Sequence, residues 1–547
     1  MAAVWLWNSS TGRLELAGKE NAAAAESAPT ASLLAEVKAG DAVIVSGCVA
    51  EKKKGSESRQ GETGQQGETG QQGESGQGQS RWEQQGVKEK RGLREQKVIA
   101  EKQHMSEKRE GCEKQVLPAL PSGIWLLNEG EIGFAAMSAA EQQQRLRRAG
   151  LLRRQELGDS DRLYKVAIAH LEPIELQRLD RWGRPAAGQP LLRAEPGGHA
   201  AVPWPRDAAL RRVIRAAVAA LYALGLDMGE AEVVLGEGGR AAVRAAGAVR
   251  DAKLRAVGLA RMAAWYEAAA APMPGTAPKL MLGADPEFAL VRPDGRIVPA
   301  SRFFGDGAQG AAGSDAMLIG RRIVYPVAEL RPEPAESPAA LTAHLRRLLL
   351  RAAERISDPS LCWVAGAMPV PGLPLGGHIH LSGTPLSSRL LRLLDSYAAF
   401  PLALVEDPAG RGRRPRYGAL GEYRQQTHGG FEYRTLPSWL ISPAAAKAAL
   451  ALALLCARET RVLTDIPALD ERYVEAFYSG DRAELAGCLD PLASALAATP
   501  SYAALAADIE PLLDAARRGI TWDERADIRH KWRIPMPAPA SNKPRNK

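Results

Sequence analysis

Two short runs set like chemical groups two positions apart: Asp285-Pro-Glu287 in Gly283-Ala-Asp-Pro-Glu-Phe-Ala-Leu-Val, and His378-Ile-His380 in Leu375-Gly-Gly-His-Ile-His-Leu-Ser-Gly. On a strand such positions share a face, roughly 6.5–7 Å apart. Two carboxylates placed so repel unless a cation or solvent separates them, although a solvated strand face presents the same pattern. Histidines are scarce, 8 in the chain, so two of them beside paired glycines point to a ligand motif that backbone or ligand can approach closely. Glu432 and Arg434, in Gly429-Gly-Phe-Glu-Tyr-Arg-Thr, put an acid beside a base on one strand face, as a ligand-binding pair or a structural salt bridge. Glu329, in Tyr325-Pro-Val-Ala-Glu-Leu-Arg-Pro-Glu-Pro, stands where a strand end delivers a side chain. Arg331 there faces a ligand or pairs with Glu333. Guanidiniums grip phosphate and carboxylate bidentately; Arg416 and Arg424 are candidates, while Arg411, Arg413 and Arg414 read as a basic solvated loop.

These side chains need strands and turns to hold them. Apolar runs on either side of Asp294-Gly295 predict a β-hairpin. An apolar strand is expected over 322–327, then a helix capped by Ser337 with Pro338 at its first position. Upstream, Leu210, Val213, Ile214, Ala217, Val218 and Leu221 fall on one helical face. A strand over 230–235 and a turn at Gly236-Glu-Gly-Gly lead into 240–249. Gly236-x-Gly238-x-x-Ala241 is better read as a hairpin turn than as a dinucleotide loop, lacking a helix cap and a downstream acid. A linking helix is expected over 251–271, helix over 139–154, and strands over 4–7, 41–49 and 124–127. Two helical stretches follow Glu459.

At 547 residues the chain exceeds one hydrophobic core. The expected organisation is an α/β N-terminal region (1–50 and 116–205), a low-complexity insert (51–115), a helix–strand segment (206–275), a catalytic domain (279–465), C-terminal helices (466–530) and a flexible basic tail (531–547). The insert carries a six-residue Gly-Glu-Thr-Gly-Gln-Gln repeat without apolar residues to bury, so disorder is expected. Five scattered cysteines, with no C-x-x-C, indicate neither a disulfide framework nor a zinc knuckle. Residues 1–18 do not read as a signal peptide and 448–457 is too short to span a bilayer, so a cytoplasmic, non-membrane protein is expected. The net charge of +8 suits an anionic ligand; without an aromatic-interleaved basic strip, nucleic acid is not the expected partner. No G-x-x-x-x-G-K-[ST] loop is present.

In this order the motifs resemble the glutamine synthetase and glutamate–cysteine ligase superfamily, and most of all its phage phiEco-type COOH–NH2 ligases, or amidoligases. Asp-Pro-Glu-Phe is similar to the Glu-Pro-Glu-Phe strand, Gly-Gly-His-Ile-His to Gly-x-His-x-His, and Glu432-x-Arg434 to the late Glu-x-Arg strand. The resemblance implies an α+β fold with a curved antiparallel sheet and helices. It makes Asp285, Glu287, Glu329, His378 and Glu432 metal ligands. His380, Arg424 and Arg434 would act at the ATP phosphates, with Arg416 as a further phosphate grip. Asp285 replaces the synthetases' Glu, and one clear Glu stands near 329 where they have two, with Glu333 or Asp315 as substitute. The stretch 204–249 also resembles the closing part of ATP-grasp ligases but has Ala241-Ala-Val-Arg-Ala in place of their metal motif.

The implied activity is ATP-dependent joining of a small-molecule or peptide carboxylate to an amine through an acyl phosphate. Magnesium suits the oxygen-rich ligand set, with manganese as the alternative favoured by an imidazole. A degenerate binding module or a metal-dependent hydrolase are the competing readings. The hydrolase leaves the arginines unexplained.

Overall fold

The computed structural model describes residues 3–8, 13–16, 37–38, 41–46, 124–195, 203–270, 279–307, 310–319, 322–427 and 429–536. All belong to one compact unit, 1–48 with 120–547. The insert expected over 51–115 and all but the first residues of the tail lie outside the described residues.

The first sheet joins β1 (Val4–Asn8), β2 (Arg13–Leu16), β3 (Ala42–Ser46) and β4 (Trp125–Leu127) in the order β2-β1-β3-β4. β1, β3 and β4 run parallel. Ala-Val-Ile-Val-Ser of β3 is buried throughout, as expected of an inner parallel strand. The second sheet is antiparallel: β5 (Arg162–Ala169), β6 (Glu172–Leu179), β7 (Leu192–Arg193), β8 (Met228–Leu235) and β9 (Ala241–Gly247), ordered β7-β6-β5-β8-β9. It therefore runs across the boundary drawn at 205/206. The helix Ala208–Ala223 buries Val213, Ile214, Ala217 and Leu221, the face its periodicity marks, and Gly236-Glu-Gly-Gly turns the β8–β9 hairpin. The helix expected to Arg154 ends at Arg148. Gly150 adopts φ +75°, which L side chains resist, and the chain then bridges Arg153 to Val243 of β9.

The motif-rich stretch supplies β10 (Met281–Ala284), β11 (Glu287–Val291), β12 (Ile297–Val298), β13 (Ala312–Ile319), β14 (Arg322–Leu330), β15 (Cys362–Val364), β16 (Ile379–Ser382), β17 (Tyr423–Gln425) and β18 (Phe431–Tyr433). The fold is α+β, and its antiparallel strands divide between two sheets. One is ordered β10-β16-β18-β17; the other is β12-β11-β14-β13, with β15 paired to β11. The expected single strand through Asp285 and Glu287 is therefore two strands. Pro286, which lacks a backbone N–H, lies where the chain leaves one sheet for the other. The Asp294-Gly295 hairpin forms between β11 and β12, and Ser337 Oγ caps the helix Pro338–Arg355 by accepting from Ala340 N at 3.2 Å.

Behind both sheets lies an apolar layer. The helix Pro443–Arg458 is buried along nearly its whole length, and Trp363 stacks on Phe288 of β11 at 5.0 Å. Where two helical stretches were expected after Glu459, five α-helices occur among the described residues (471–479, 482–486, 489–497, 502–517 and 528–532). Gly480, at φ +76°, ends the first of them. No described helix is long and apolar enough to cross a membrane.

Candidate active site

Strand register assembles the first cluster. Gly283 of β10 faces His380 of β16, His380 faces Glu432 of β18, and Glu432 faces Arg424 of β17. Directly opposed residues of antiparallel strands share a face, so this row runs across the sheet. A Cβ on Gly283 would come within 3.2 Å of His380 Cβ, so the glycine leaves room for the imidazole. Past the end of β10 the pairing continues, with Asp285 N donating to His378 O at 3.3 Å and Glu287 N to Gly376 O at 3.0 Å. Asp285 and His378 thereby join the row. The paired glycines are sterically required: a Cβ on Gly376 would lie 2.6 Å from His378 Nε2, and one on Gly377 2.4 Å from Pro437 O.

The result is a convergence of ligand atoms. His378 Nδ1 lies 3.1 Å from Asp285 Oδ1 and 3.2 Å from Glu432 Oε1, and His380 Nε2 lies 3.2 Å from Asp285 Oδ2. Asp285, His380 and Glu432 each offer an atom within 4.8 Å of the others, a grouping that suits a metal ion. Asp285 Oδ1, His378 Nδ1 and His380 Nε2 are buried, yet none has a well-aligned hydrogen-bond partner. Buried polar atoms are rarely left so, and donor atoms gathered this closely fit a shared cation. Burial alone would raise the Asp285 carboxyl, but the two histidines hold it well below the usual range. Burial would likewise lower His378; Asp285 and then Glu287 reverse this and raise it.

Arginines close the row. Arg434 pairs with Glu432 Oε1, while Arg424 Nη1 and Gln426 Nε2 lie 3.4 and 3.1 Å from Glu432 Oε2. Arg434 also reaches Glu422, at 3.7 Å. The structural salt bridge foreseen for Glu432 and Arg434 thus exists, and it belongs to a fan of donors around one buried acid.

The neighbouring sheet supplies a second carboxylate group. Glu287 of β11 faces Glu329 of β14, which in turn faces Gly313 of β13. Burial lifts the Glu287 carboxyl to about 7, and Asp315 and Asp285 push the same way. Gly376 N donates to Glu287 Oε2 at 2.6 Å, and Arg331 pairs with Glu329 rather than with Glu333.

Of the residues singled out in the sequence, Asp285, His378, His380, Arg424, Glu432 and Arg434 meet in the first cluster, and Glu287 and Glu329 in the second. Arg416 is not brought to either: it is exposed, its guanidinium 5.3 Å from the Tyr417 ring centroid. The solvated-loop reading fails for two of its neighbours. Arg413 is buried and donates to Thr435 O and Leu436 O at 2.7 and 2.8 Å, while Arg414 pairs with buried Glu406 at 2.6 Å. Arg413 thereby braces the chain leaving β18, and Arg414 ties its loop to the end of the 400–405 helix. Sequence reasoning did not single out Glu422 or Gln426, although both flank Arg424 in the string that marked it.

Residues 282–534 match the family model described as phage phiEco32-like COOH.NH2 ligase-type 2. This stretch is similar to the carboxylate–amine ligases of that family. The match covers a little under half of the chain. It runs past 465 through the C-terminal helices, which share one core with the site sheets. Among solved structures, a bifunctional glutathione synthetase from Pasteurella multocida is similar with TM-score 0.26 and 13% identity over 46% of this chain and 48% of that one. The chain thus spans about half the length of that enzyme. "Apo GmaS without ligand" is similar with TM-score 0.26 and 16% identity, over 44% and 70%. No curated protein matches the sequence.

Proposed function

We propose that the chain joins a carboxylate to an amine at the expense of ATP, at a divalent-metal site built on the 281–284, 379–382 and 431–433 strands. The observation that carries this reading is the cluster of buried nitrogen and oxygen atoms, crowded together without well-aligned hydrogen bonds, on Asp285, His378 and His380 beside Glu432. Asp285, His378 and Glu432 would hold metal, and the geometry adds His380 to them. Glu287 and Glu329, with Asp315 close by, form the further carboxylate group in which the family resemblance expects metal. The oxygen-rich set suits magnesium, and the imidazoles would also accept manganese. Bound there, a divalent cation would draw charge from phosphoryl oxygens.

An amide cannot form from a carboxylate in water without activation. In the proposed sequence a substrate carboxylate oxygen attacks the γ-phosphorus of ATP and ADP departs, leaving an acyl phosphate. The amine nitrogen then attacks the acyl carbon, phosphate departs, and the nitrogen loses a proton. Both steps build charge on phosphoryl oxygens. Arg424 and Arg434, tied to Glu432, are positioned to meet that charge with preorganised donors. Two guanidiniums beside the candidate metal ligands favour ligase over water-activating hydrolase chemistry.

The test is amine-dependent ADP release with Arg434 varied at saturating ATP. A contact that strengthens as charge develops should affect turnover more than ATP affinity. Arg434→Lys keeps the charge but loses the planar fork, and turnover should fall by on the order of 10²–10³. Near-wild-type turnover in that variant would end the phosphate-contact reading.

A further inference from the structure

We infer that Tyr222 and Asp395 form a positioning tether for the arginine-bearing strand, so that the ligase site depends on a residue outside the ligase-matched stretch. The inference rests on the proposed function. Asp395 is fully buried in the helix that begins at Ser388, at the first residue of a π-helical turn, Asp395–Ala399. Such turns insert a residue into a helix and often serve functional sites. Its carboxylate gathers three donors from three parts of the chain. Tyr433 Oη donates to Oδ1 at 2.6 Å, Gly421 N to Oδ1 at 3.1 Å, and Tyr222 Oη to Oδ2 at 2.7 Å.

Two of these donors sit next to the site. Tyr433 follows Glu432 on β18, and because side chains alternate its hydroxyl is fixed behind the sheet while Glu432 faces the histidines. Gly421 opens the segment that becomes β17, where Glu422 and Arg424 reach Arg434 and Glu432. A single carboxylate therefore holds both strands that carry the arginine–acid fan.

The third donor comes from the helix Ala208–Ala223, ahead of the matched residues 282–534. Tyr222 is wedged in place. Arg392 stacks on its ring at 4.3 Å and donates to its carbonyl at 3.3 Å. Any Cβ on Gly421 would lie 2.2 Å from Tyr222 Cε1, and Gly421 has φ +70°, so glycine is needed there for the tyrosine to approach. Tyr222, Arg392 and Leu420 also border a cavity of about 60 Å³ with Arg145, Arg148 and Tyr478, and Leu420 N donates to Tyr478 Oη at 3.0 Å beside it.

Tyr222→Phe and Asp395→Asn, in the full-length chain, test the tether against Tyr397→Phe. Tyr397 is equally buried in the same helix but donates to Asp465 O, away from β17. Loss of one hydrogen bond should speed amide exchange over 421–425 by about five- to tenfold in Tyr222→Phe. Turnover should fall several-fold relative to Tyr397→Phe, and Asp395→Asn should exceed Tyr222→Phe in both respects. Exchange no faster than in Tyr397→Phe would overturn the tether, and faster exchange with unchanged turnover would overturn its link to the site. If the wild type releases no ADP with any amine, the ligase reading fails separately. Manganese affinity in the same variants then decides the inference: weaker binding upholds it and unchanged binding overturns it.

Discussion

The buried acids around the two site sheets divide into two groups with opposite surroundings. Away from the site each acid has its own donors: Asp395 has two tyrosines and a backbone N–H, Glu524 accepts from Met368 N and Asp407 N at 2.9 and 3.0 Å, and Glu406 pairs with Arg414. In front of the sheets the acids crowd one another. Glu287 faces Glu329, and Asp285 and Glu432 both press on His378 with polar atoms left unaligned. A fold gains little from burying several carboxylates and imidazoles against one another, whereas a site that takes up cations requires them. Crowding of titratable groups, more than burial, separates site from scaffold.

The largest expected effect comes from Glu287→Gln. The change is nearly isosteric, keeps an acceptor for Gly376 N, and removes a charge facing Glu329. Turnover should fall by on the order of 10²–10³, and magnesium-dependent ATP binding should weaken severely. The metal-free variant should nevertheless melt at or above the wild-type temperature at pH 8, because burial already opposes the charged form. Calorimetry showing wild-type nucleotide affinity, or a melting temperature well below wild type, would place Glu287 with the scaffold acids instead.

Glu524 should respond the other way, through stability and its pH dependence. Burial lifts its carboxyl to about 7 despite backbone donors at Ala367, Met368 and Asp407. The folded state therefore keeps a proton that the unfolded chain loses near the ordinary glutamate value. Stability is then fullest below that value and falls as pH rises toward 7, by about 2–4 kcal/mol for a shift of this size. Glu524→Gln cannot ionise, so melting temperature plotted against pH should fall less steeply between about pH 4.5 and 7. Equal slopes in the two proteins would show that Glu524 does not titrate as its surroundings imply.

Local rules were visible in the sequence wherever the cause is local. The hairpin turn at Asp294-Gly295, the Ser337-Pro338 cap and the apolar face of 208–223 all formed as their residue types require. The meeting of the 285, 329, 378 and 432 strings was implied by the family resemblance, while two-residue spacing alone marked shared strand faces and misled at Asp285 and Glu287, which flank a change of sheet. Long-range causes were not legible. Pro286 removes a backbone donor, but which sheet each flanking strand joins depends on partners about 40 to 100 residues away. Arg413 and Arg414 look like surface charge until the carbonyls after β18 and buried Glu406 are set beside them. Asp395 carries no motif at all, since its three donors come from residues 222, 421 and 433.

The smallest effect is expected at Arg416, where resemblance and geometry diverge. Its place in the string before Arg424 resembles a phosphate-gripping arginine, yet of these two exposed side chains Arg416 lies over Tyr417 and only Arg424 reaches Glu432. An exposed cation resting on one exposed ring contributes about 0.5–1 kcal/mol, and surface substitutions usually stay within about 0.5 kcal/mol in stability. Arg416→Ala should therefore leave the melting temperature almost unchanged and alter turnover less than about threefold, consistent with energies of that size. Arg424→Ala removes a donor from the buried acid of the first cluster and should lower turnover by at least ten times as much. Steady-state ADP release at saturating and at limiting ATP, measured for both variants, checks the contrast. If Arg416→Ala instead raised KM for ATP strongly while leaving kcat intact, that guanidinium would have to leave Tyr417 and reach the nucleotide on binding, and the exposed loop would join the front group of site residues.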